Sequence, residues 1–418
     1  MPLTTRSFIL TILGALTVLT GHSAADTFVV DRFDDSTVGD CLPTVPGDCA
    51  LRGAVIRANS SPGDDVILLP AGTYTLSIPG AWDDACLTGD LDVTDTLLIV
   101  GEGAELTVVD GGGLDRVLDV HPSCGRLTLR GVTVAGGLSV VGTSGGAGIR
   151  AIDSSLRLES CVVSGNETTV AYAGTAVYAH STVPGDMAEI VDSWITGNTG
   201  HGQTLSLGPG RLERTTVSGN THLGSQGVVV ALSGTGGALL DSTIGDNTRP
   251  ASGPAVLIWG PGYEVRGSTL VDDPGRVVLL VATGGSAALG NTVVVGWCSQ
   301  GGGPLTTLGG NLESPGNSCG LGGSDLVNVA NPGLSALGFA GGPAPLYRPL
   351  HGGPALDAPL AAAGCRPLDQ RGLSRPRDGD GDGAAVCDIG AAELAGTGEL
   401  FVETFECGFA TGWSQVVR

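Results

Sequence analysis

The stretch DSWITGN, Asp192–Asn198, decides the fold, because it returns as SCVVSGN (160–166), RTTVSGN (214–220) and DSTIGDN (241–247). The fourth position is always β-branched (Val163, Ile195, Val217, Ile244), and the last is always Asn. The residue two before each unit is apolar: Leu158, Ile190, Leu212 and Leu239. Successive terminal Asn residues lie 32, 22 and 27 apart. Weaker copies follow at Val265, Leu270 and Asp273 and at Ala288, Val293 and Gly296, and one precedes at Leu129, Val134 and Gly137. Each unit reads as a strand, a polar corner, a second strand and a Gly-Asn corner. That is too little to bury a core alone, so units must stack.

A stack of short parallel strands with loops of unequal length is a parallel β-helix. Equivalent residues then sit above one another at ~4.8 Å. The inner positions become columns of Val, Ile and Leu, and the Asn residues become a ladder that satisfies backbone groups at one corner. At roughly 25 residues per coil, residues 66–345 predict about 11 coils and a rod of on the order of 50 Å.

Composition agrees with this fold. Gly makes up 71 of 418 residues, aromatic content is 4% and charged content 15%, which suits many tight turns around a core of small aliphatic side chains. There are 42 acids against 20 bases, for a net charge of −22, and every base is Arg. Such a chain repels phosphate backbones, so nucleic acid is excluded as a partner.

Residues 1–25 predict a signal peptide. Arg6 precedes the apolar run SFILTILGALTVLT (7–20), and Ser23-Ala24-Ala25 supplies small residues at a cleavage site. No later segment approaches the ~20 apolar residues of a membrane helix. The expected localisation is secreted or cell surface. In an oxidising compartment the ten Cys point to disulfides. Short loops predict Cys41–Cys49, Cys298–Cys319 and Cys365–Cys387, with Cys86–Cys124 a looser pairing and Cys161 a buried free thiol.

One segment has helical spacing. In DCALRGAVIRANS, Leu51, Ala54, Val55 and Ala58 fall at i, i+3, i+4 and i+7, with Asp48 as N-cap. An open β-helix end exposes strand edges and apolar columns, and this helix is the candidate plug. The expected organisation is an N-terminal cap (26–90), a parallel β-helix (91–345), a C-terminal cap (346–395) and a tail (396–418).

GDCALRGAVIRAN (47–59) resembles the CSLREA-type motif that opens many exported bacterial β-helix proteins, departing from it at Ala50 and at Gly53, where that group has Glu. VILLPAGTYTLSI (66–78), GDLDVTDTLLIVGEGAELTVVDGGGLDRVLDV (89–120), GGPAPLYRPLHGGPALDAP (341–359) and DQRGLSRPRDGDGDGAAVCDIGAAEL (369–394) are similar to further segments of that group. The resemblance spans 29–394 and implies a right-handed parallel β-helix of the pectin-lyase-like kind. It implies no single chemistry.

Two segments are candidates for chemistry. Gly200-His201-Gly202 resembles the Gly-His-Gly of pectin-hydrolysing glycosidases, but the Asp partners needed as acid and base are absent upstream. The stronger signal is RDGDGDGAAVCDIG. Asp378, Asp380 and Asp382 alternate with Gly, Asp388 follows, and such a loop can aim several oxygens at a calcium ion. The alternative is a solvated acidic turn. The expected function is a non-catalytic structural or carbohydrate-binding protein, with polysaccharide or cell-surface components as partners. The competing reading is a polysaccharide lyase or glycoside hydrolase. An enzyme of this fold should show two or three carboxylates converging in a long cleft.

Overall fold

The computed structural model describes residues 25–394 except 82, 123–124, 140–144, 170, 172–173, 226 and 359–364. The expected leader up to residue 24, the tail 396–418, Cys124 and Cys407 lie outside the described residues. Every strand pairing within the sheets is parallel, from Thr27–Val29 on Asp65–Leu69 to Val293–Val295 on Leu312–Ser314. The chain visits three long sheets in turn and returns, so each sheet collects one strand per coil: 11 in the first, 10 in the second and 9 in the third. A further sheet of 4 short strands lies between the second and third over the central coils. This is a right-handed parallel β-helix, the hand expected of parallel crossovers between right-twisted strands. Its coils number ten by the second sheet, close to the expected eleven.

The repeat lies where the first sheet turns into the second. Val163, Ile195, Val217 and Ile244 stack in register, and all four are buried. The first residue of each unit is the corner itself: Ser160, Asp192, Arg214 and Asp241 all have φ of 46–51°. This left-handed backbone tolerates short polar residues better than β-branched ones. The second corner falls at Gly165, Gly197 and Gly219, and at Asp246 in the fourth unit.

The Asn ladder forms as expected. Asn166 Nδ2 donates to Asn198 Oδ1, Asn198 to Asn220 and Asn220 to Asn247, each at 2.9 Å. Each amide also donates to its own coil and to the coil before, as Asn198 does to Thr196 O and Val163 O. A second ladder runs along the neighbouring corner, where the hydroxyls of Ser193, Ser242 and Ser268 accept N–H groups from Cys161, Thr215 and Ser242.

Helix α1 spans Leu51–Ser60 and buries Leu51, Ala54, Val55 and Ala58, which join the core at the first coils. Its N-cap is Ala50, without a side-chain cap; the expected cap, Asp48, lies two residues too early, and its carboxylate accepts Leu42 N instead. Gly53 is a packing requirement: a Cβ there would stand 2.1 Å from Val38 O, so Glu does not fit. Cys41–Cys49, Cys298–Cys319 and Cys365–Cys387 are disulfide-bonded, and Cys86 and Cys161 are free and buried. Among the described residues no helix is long and apolar enough to cross a membrane.

The segment expected as a C-terminal cap runs back along the outside of the second sheet instead. Trp194 packs edge-on against Phe339 at 5.5 Å. Thr216 Oγ1 donates to Pro345 O and Thr243 Oγ1 to Gln370. Thr269 Oγ1 accepts Ala391 N, and Asn291 Nδ2 donates to Asp388 O. Val293, Val295 and Leu312 pack with Ala355, Ala358 and Ile389. The core of the last coils instead includes Cys319 and Leu321.

Candidate functional site

The third sheet presents the outward column with the richest chemistry. In LDV (91–93) and LDV (118–120), Leu and Val face the core, which leaves Asp92 and Asp119 facing out in register. Arg150 follows on the next coil, then Tyr178 and Ser206. The charged end of this column is a dense network. Asp119 accepts Nε of Arg150 at both oxygens, at 2.8 and 2.9 Å. His121 Nε2 lies 2.9 Å from Asp92 Oδ1, while Asp92 Oδ2 accepts Cys86 N. Arg116 reaches Asp90 at 3.4 Å and Asp115 at 3.5 Å.

One oxygen each from Asp90, Asp92 and Asp119 lie within 4.8 Å of one another, as do ligand atoms of Asp84, Asp92 and His121. Burial, then the charges of Asp92 and Asp115, push the Asp90 carboxyl up to about 8. Burial likewise raises Asp92 and Asp115. The hydrogen bond to Asp92 raises His121. Three carboxylates thus converge, but Asp90, Asp92 and Asp119 are only 1–4% exposed. A polymer chain cannot reach their oxygens as the loops stand. His121 and Arg150 are half-buried.

The helix segment positions this network. Arg52, 1% exposed, is held by Asp35 and donates to the carbonyls of Cys86, Gly89 and Asp90. Asn59 donates to Asp92 O and accepts Thr94 N. Two residues of ALRGAVIRAN therefore fix the backbone of two of the acids. None of these acids was among the candidates read from the sequence. The signal was present as the LDV of 91–93 recurring at 118–120, but it lies outside the repeat that set the register.

Farther along, the same face becomes apolar. Val228, Ala231 and Leu257 form a cluster separate from the core, with Leu280 and Ala282 against it. Trp259 and Trp297, at outward positions two coils apart, are 50% and 52% exposed.

The acidic loop near the C-terminus brings together part of its expected set. Asp378 and Asp380 converge with Asp357, with ligand atoms within 4.8 Å. Asp357 is supplied by a different segment and was not anticipated. Asp382 lies outside this group, accepting Ala384 N instead. Asp388 is buried, and its carboxylate is occupied by the N–H groups of Asp357 and Leu394. His201 is exposed just after the short strand Thr199–Gly200. The strand register puts Thr169 and Leu223 beside it on adjacent coils, so neither neighbour is an acid.

No family model matches the chain, and no curated protein matches it. Among solved structures, a pectin methylesterase from carrot is 14% identical, covering 69% of this chain and 84% of its own, with a TM-score of 0.30. The Azotobacter vinelandii mannuronan C-5 epimerase AlgE6 A-module is also 14% identical, covering 69% and 80%, with a TM-score of 0.26. Likenesses this loose carry no argument about the site, and the fold rests on the strand pairing.

Proposed function

We propose that the chain is an exported, non-catalytic β-helix that binds a neutral polysaccharide along the outer face of its third sheet. The observation that carries this reading is the pair of half-exposed tryptophans, Trp259 and Trp297, beside the apolar strip of Leu257 and Leu280. Indole rings offer flat apolar area to the C–H faces of sugars and an N–H to their hydroxyls. Leu257 itself is only 6% exposed, so the two indoles are the accessible apolar surface there, and exposed apolar surface of this size can mark an interaction site. A net charge of −22 repels a polyanion and favours an uncharged glycan. Three disulfides support export.

The lyase or glycosidase reading needs a carboxylic acid and a carboxylate that touch the substrate. Asp90, Asp92, Asp115 and Asp119 on this face are buried, and Asp92 and Asp119 are bound by His121 and Arg150. We propose also that Asp357, Asp378 and Asp380, an all-oxygen set suited to a hard cation, take up calcium. Asp380→Ala should remove that uptake in calorimetry.

Affinity electrophoresis in gels cast with neutral polysaccharides tests the main reading. Retardation by at least one glycan, lost in the Trp259→Ala/Trp297→Ala double variant, is expected. Retardation that survives both changes sinks the third-sheet site. Release of reducing ends or unsaturated sugars from pectate, pectin, alginate or rhamnogalacturonan, abolished by His201→Ala or Asp92→Asn, overturns the non-catalytic reading.

A further inference from the structure

The core column of the repeat ends in a carboxylate. Val163, Ile195, Val217 and Ile244 are followed in register by Leu270, Val294 and then Glu313, which is fully buried. A buried carboxylate is costly unless its oxygens are hydrogen-bonded. Those of Glu313 are bonded by two adjacent residues. Ser318 N and Ser318 Oγ each donate to Oε1 at 2.6 Å, and Cys319 N donates to Oε2 at 3.1 Å. These donors belong to the turn that closes the end of the stack, where Cys319 and Leu321 join the core.

That turn does for the third sheet what a further coil would do. Trp297–Gly301 is the last strand of that sheet and pairs on one side only, with Val277–Ala282. A register shift there sets Trp297 against Val277 and Cys298 against Leu279. On the free side of the strand, Ser318 Oγ accepts Cys298 N at 2.8 Å and Gln300 Nε2 donates to Cys319 O at 3.5 Å. Cys298 is also joined to Cys319 by a disulfide. The Ser318 hydroxyl is therefore a relay: it donates to Glu313 and accepts from the residue next to Trp297.

We propose that Glu313 is a positioning residue for the binding face of the third sheet, acting through Ser318 and the Cys298–Cys319 disulfide to fix Trp297. The proposal rests on the glycan-binding reading. The two tryptophans differ in what holds them. Trp259 follows Val256–Ile258, a strand paired on both sides, so the stack orders its backbone. Trp297 opens a strand with one neighbour and is half exposed, so its own packing holds it weakly. Edge elements with few contacts open most readily. An anchor that is ordered beforehand costs less to immobilise when a ligand binds. Glu313 supplies that order from the second sheet, in a core position where the earlier coils carry an aliphatic side chain.

The test uses Ser318→Ala and Glu313→Gln, each in the full chain labelled with fluorotryptophan. Trp259→Phe and Trp297→Phe assign the fluorine resonances. In both variants the Trp297 resonance should shift or broaden while that of Trp259 stays in place. This readout needs no glycan, so it separates failure of the positioning role from failure of the binding reading. Affinity electrophoresis then reads the consequence. Each substitution should weaken glycan binding by up to the about tenfold loss expected for an aromatic anchor, and should add nothing in a Trp297→Ala background. Ser318→Ala is the milder change, because Glu313 keeps the N–H groups of Ser318 and Cys319, and it carries the test if Glu313→Gln does not fold. A Trp297 resonance unmoved by Ser318→Ala, or a binding loss that adds in full to that of Trp297→Ala, overturns the proposal. Absence of retardation in the unaltered chain refutes the binding reading, while the resonances still decide whether Glu313 fixes Trp297.

Discussion

The second and third sheets are built by the same coils, yet their outer faces have opposite fates. On the second sheet, Thr216, Thr243 and Thr269 stack in register and are at most 1% exposed. Their hydroxyls are bonded by Pro345, Gln370 and Ala391 of the returning C-terminal segment. On the third sheet, the corresponding late coils leave Trp259 and Trp297 half exposed. A β-helix buries its inner columns by construction, so its outer columns are where a sequence states a purpose. A Thr column offers small, hydrogen-bonding positions onto which a strap can be zipped. A face that leaves two Trp side chains half exposed is left for something else.

The largest expected effect lies in what both sheets share. Asn198→Ala removes the carbonyl that accepts N–H groups from Asn166 and the amide that bonds Val163 O and Thr196 O. At 1–3 kcal/mol for each buried group left unpaired, the loss should be about 4 kcal/mol after partial relaxation. Urea unfolding checks it. A cost below about 1 kcal/mol would mean the ladder decorates the stack rather than holding it.

Next comes the strap. Arg366 bonds Glu213 at 2.9 Å and also binds Asp241, which is buried. Arg366→Ala strands Asp241 and should cost about 3 kcal/mol, the low end for a broken buried pair because the Arg itself is partly exposed. Limited proteolysis should then cut first between residues 339 and 394. Cleavage that begins in the coils instead would show that the strap is not the weaker layer.

Much of this architecture could be read from the sequence, because a stack repeats. The Val163 column, the Asn166 ladder and the three short-loop disulfides each follow from local spacing. The strap could not be read, since it joins residues such as Thr216 and Gln370, 154 apart, without any period. The acid network was missed for a subtler reason. Asp92 and Asp119 belong to a different strand of the coil from DSWITGN, and Arg150 breaks the acidic column after two members. The Asp378 loop was read from one segment, whereas its cluster takes Asp357 from another and leaves Asp388 structural.

Titration separates the two faces again. Burial raises Glu393 on the strap to about 8, with Arg375 at 3.7 Å too distant to offset it, and raises Asp90 on the third sheet to about 8. A carboxyl with a raised folded value holds its proton in the folded state after the unfolded chain has lost it. Stability from these groups is therefore full below the unfolded value near 4 and declines as pH rises through the folded one. Between about pH 5 and 8, in chelator, the unfolding midpoint should fall, and it should level off above that range. Glu393→Gln and Asp90→Asn should each flatten part of that slope. A midpoint that rises over this window contradicts both burial assignments.

The smallest expected effect is on stability at the tryptophans, and it is the one that defines the open face. Trp259 follows the strand Val256–Ile258 and donates its backbone N–H to Leu232 O, a bond that any side chain preserves. With half of its surface in water, the indole contributes little to the stack. Trp259→Ala should therefore change unfolding free energy by no more than about 0.5 kcal/mol, as exposed positions usually do. The same change should weaken glycan binding about tenfold, since an aromatic anchor at an interface is worth ~1–2 kcal/mol or more. The pairing of a small stability change with a large binding change distinguishes an open ligand face from a patch of packing. If Trp259→Ala instead costs as much as Arg366→Ala, the third sheet is closed like the second, and the contrast between the two faces disappears.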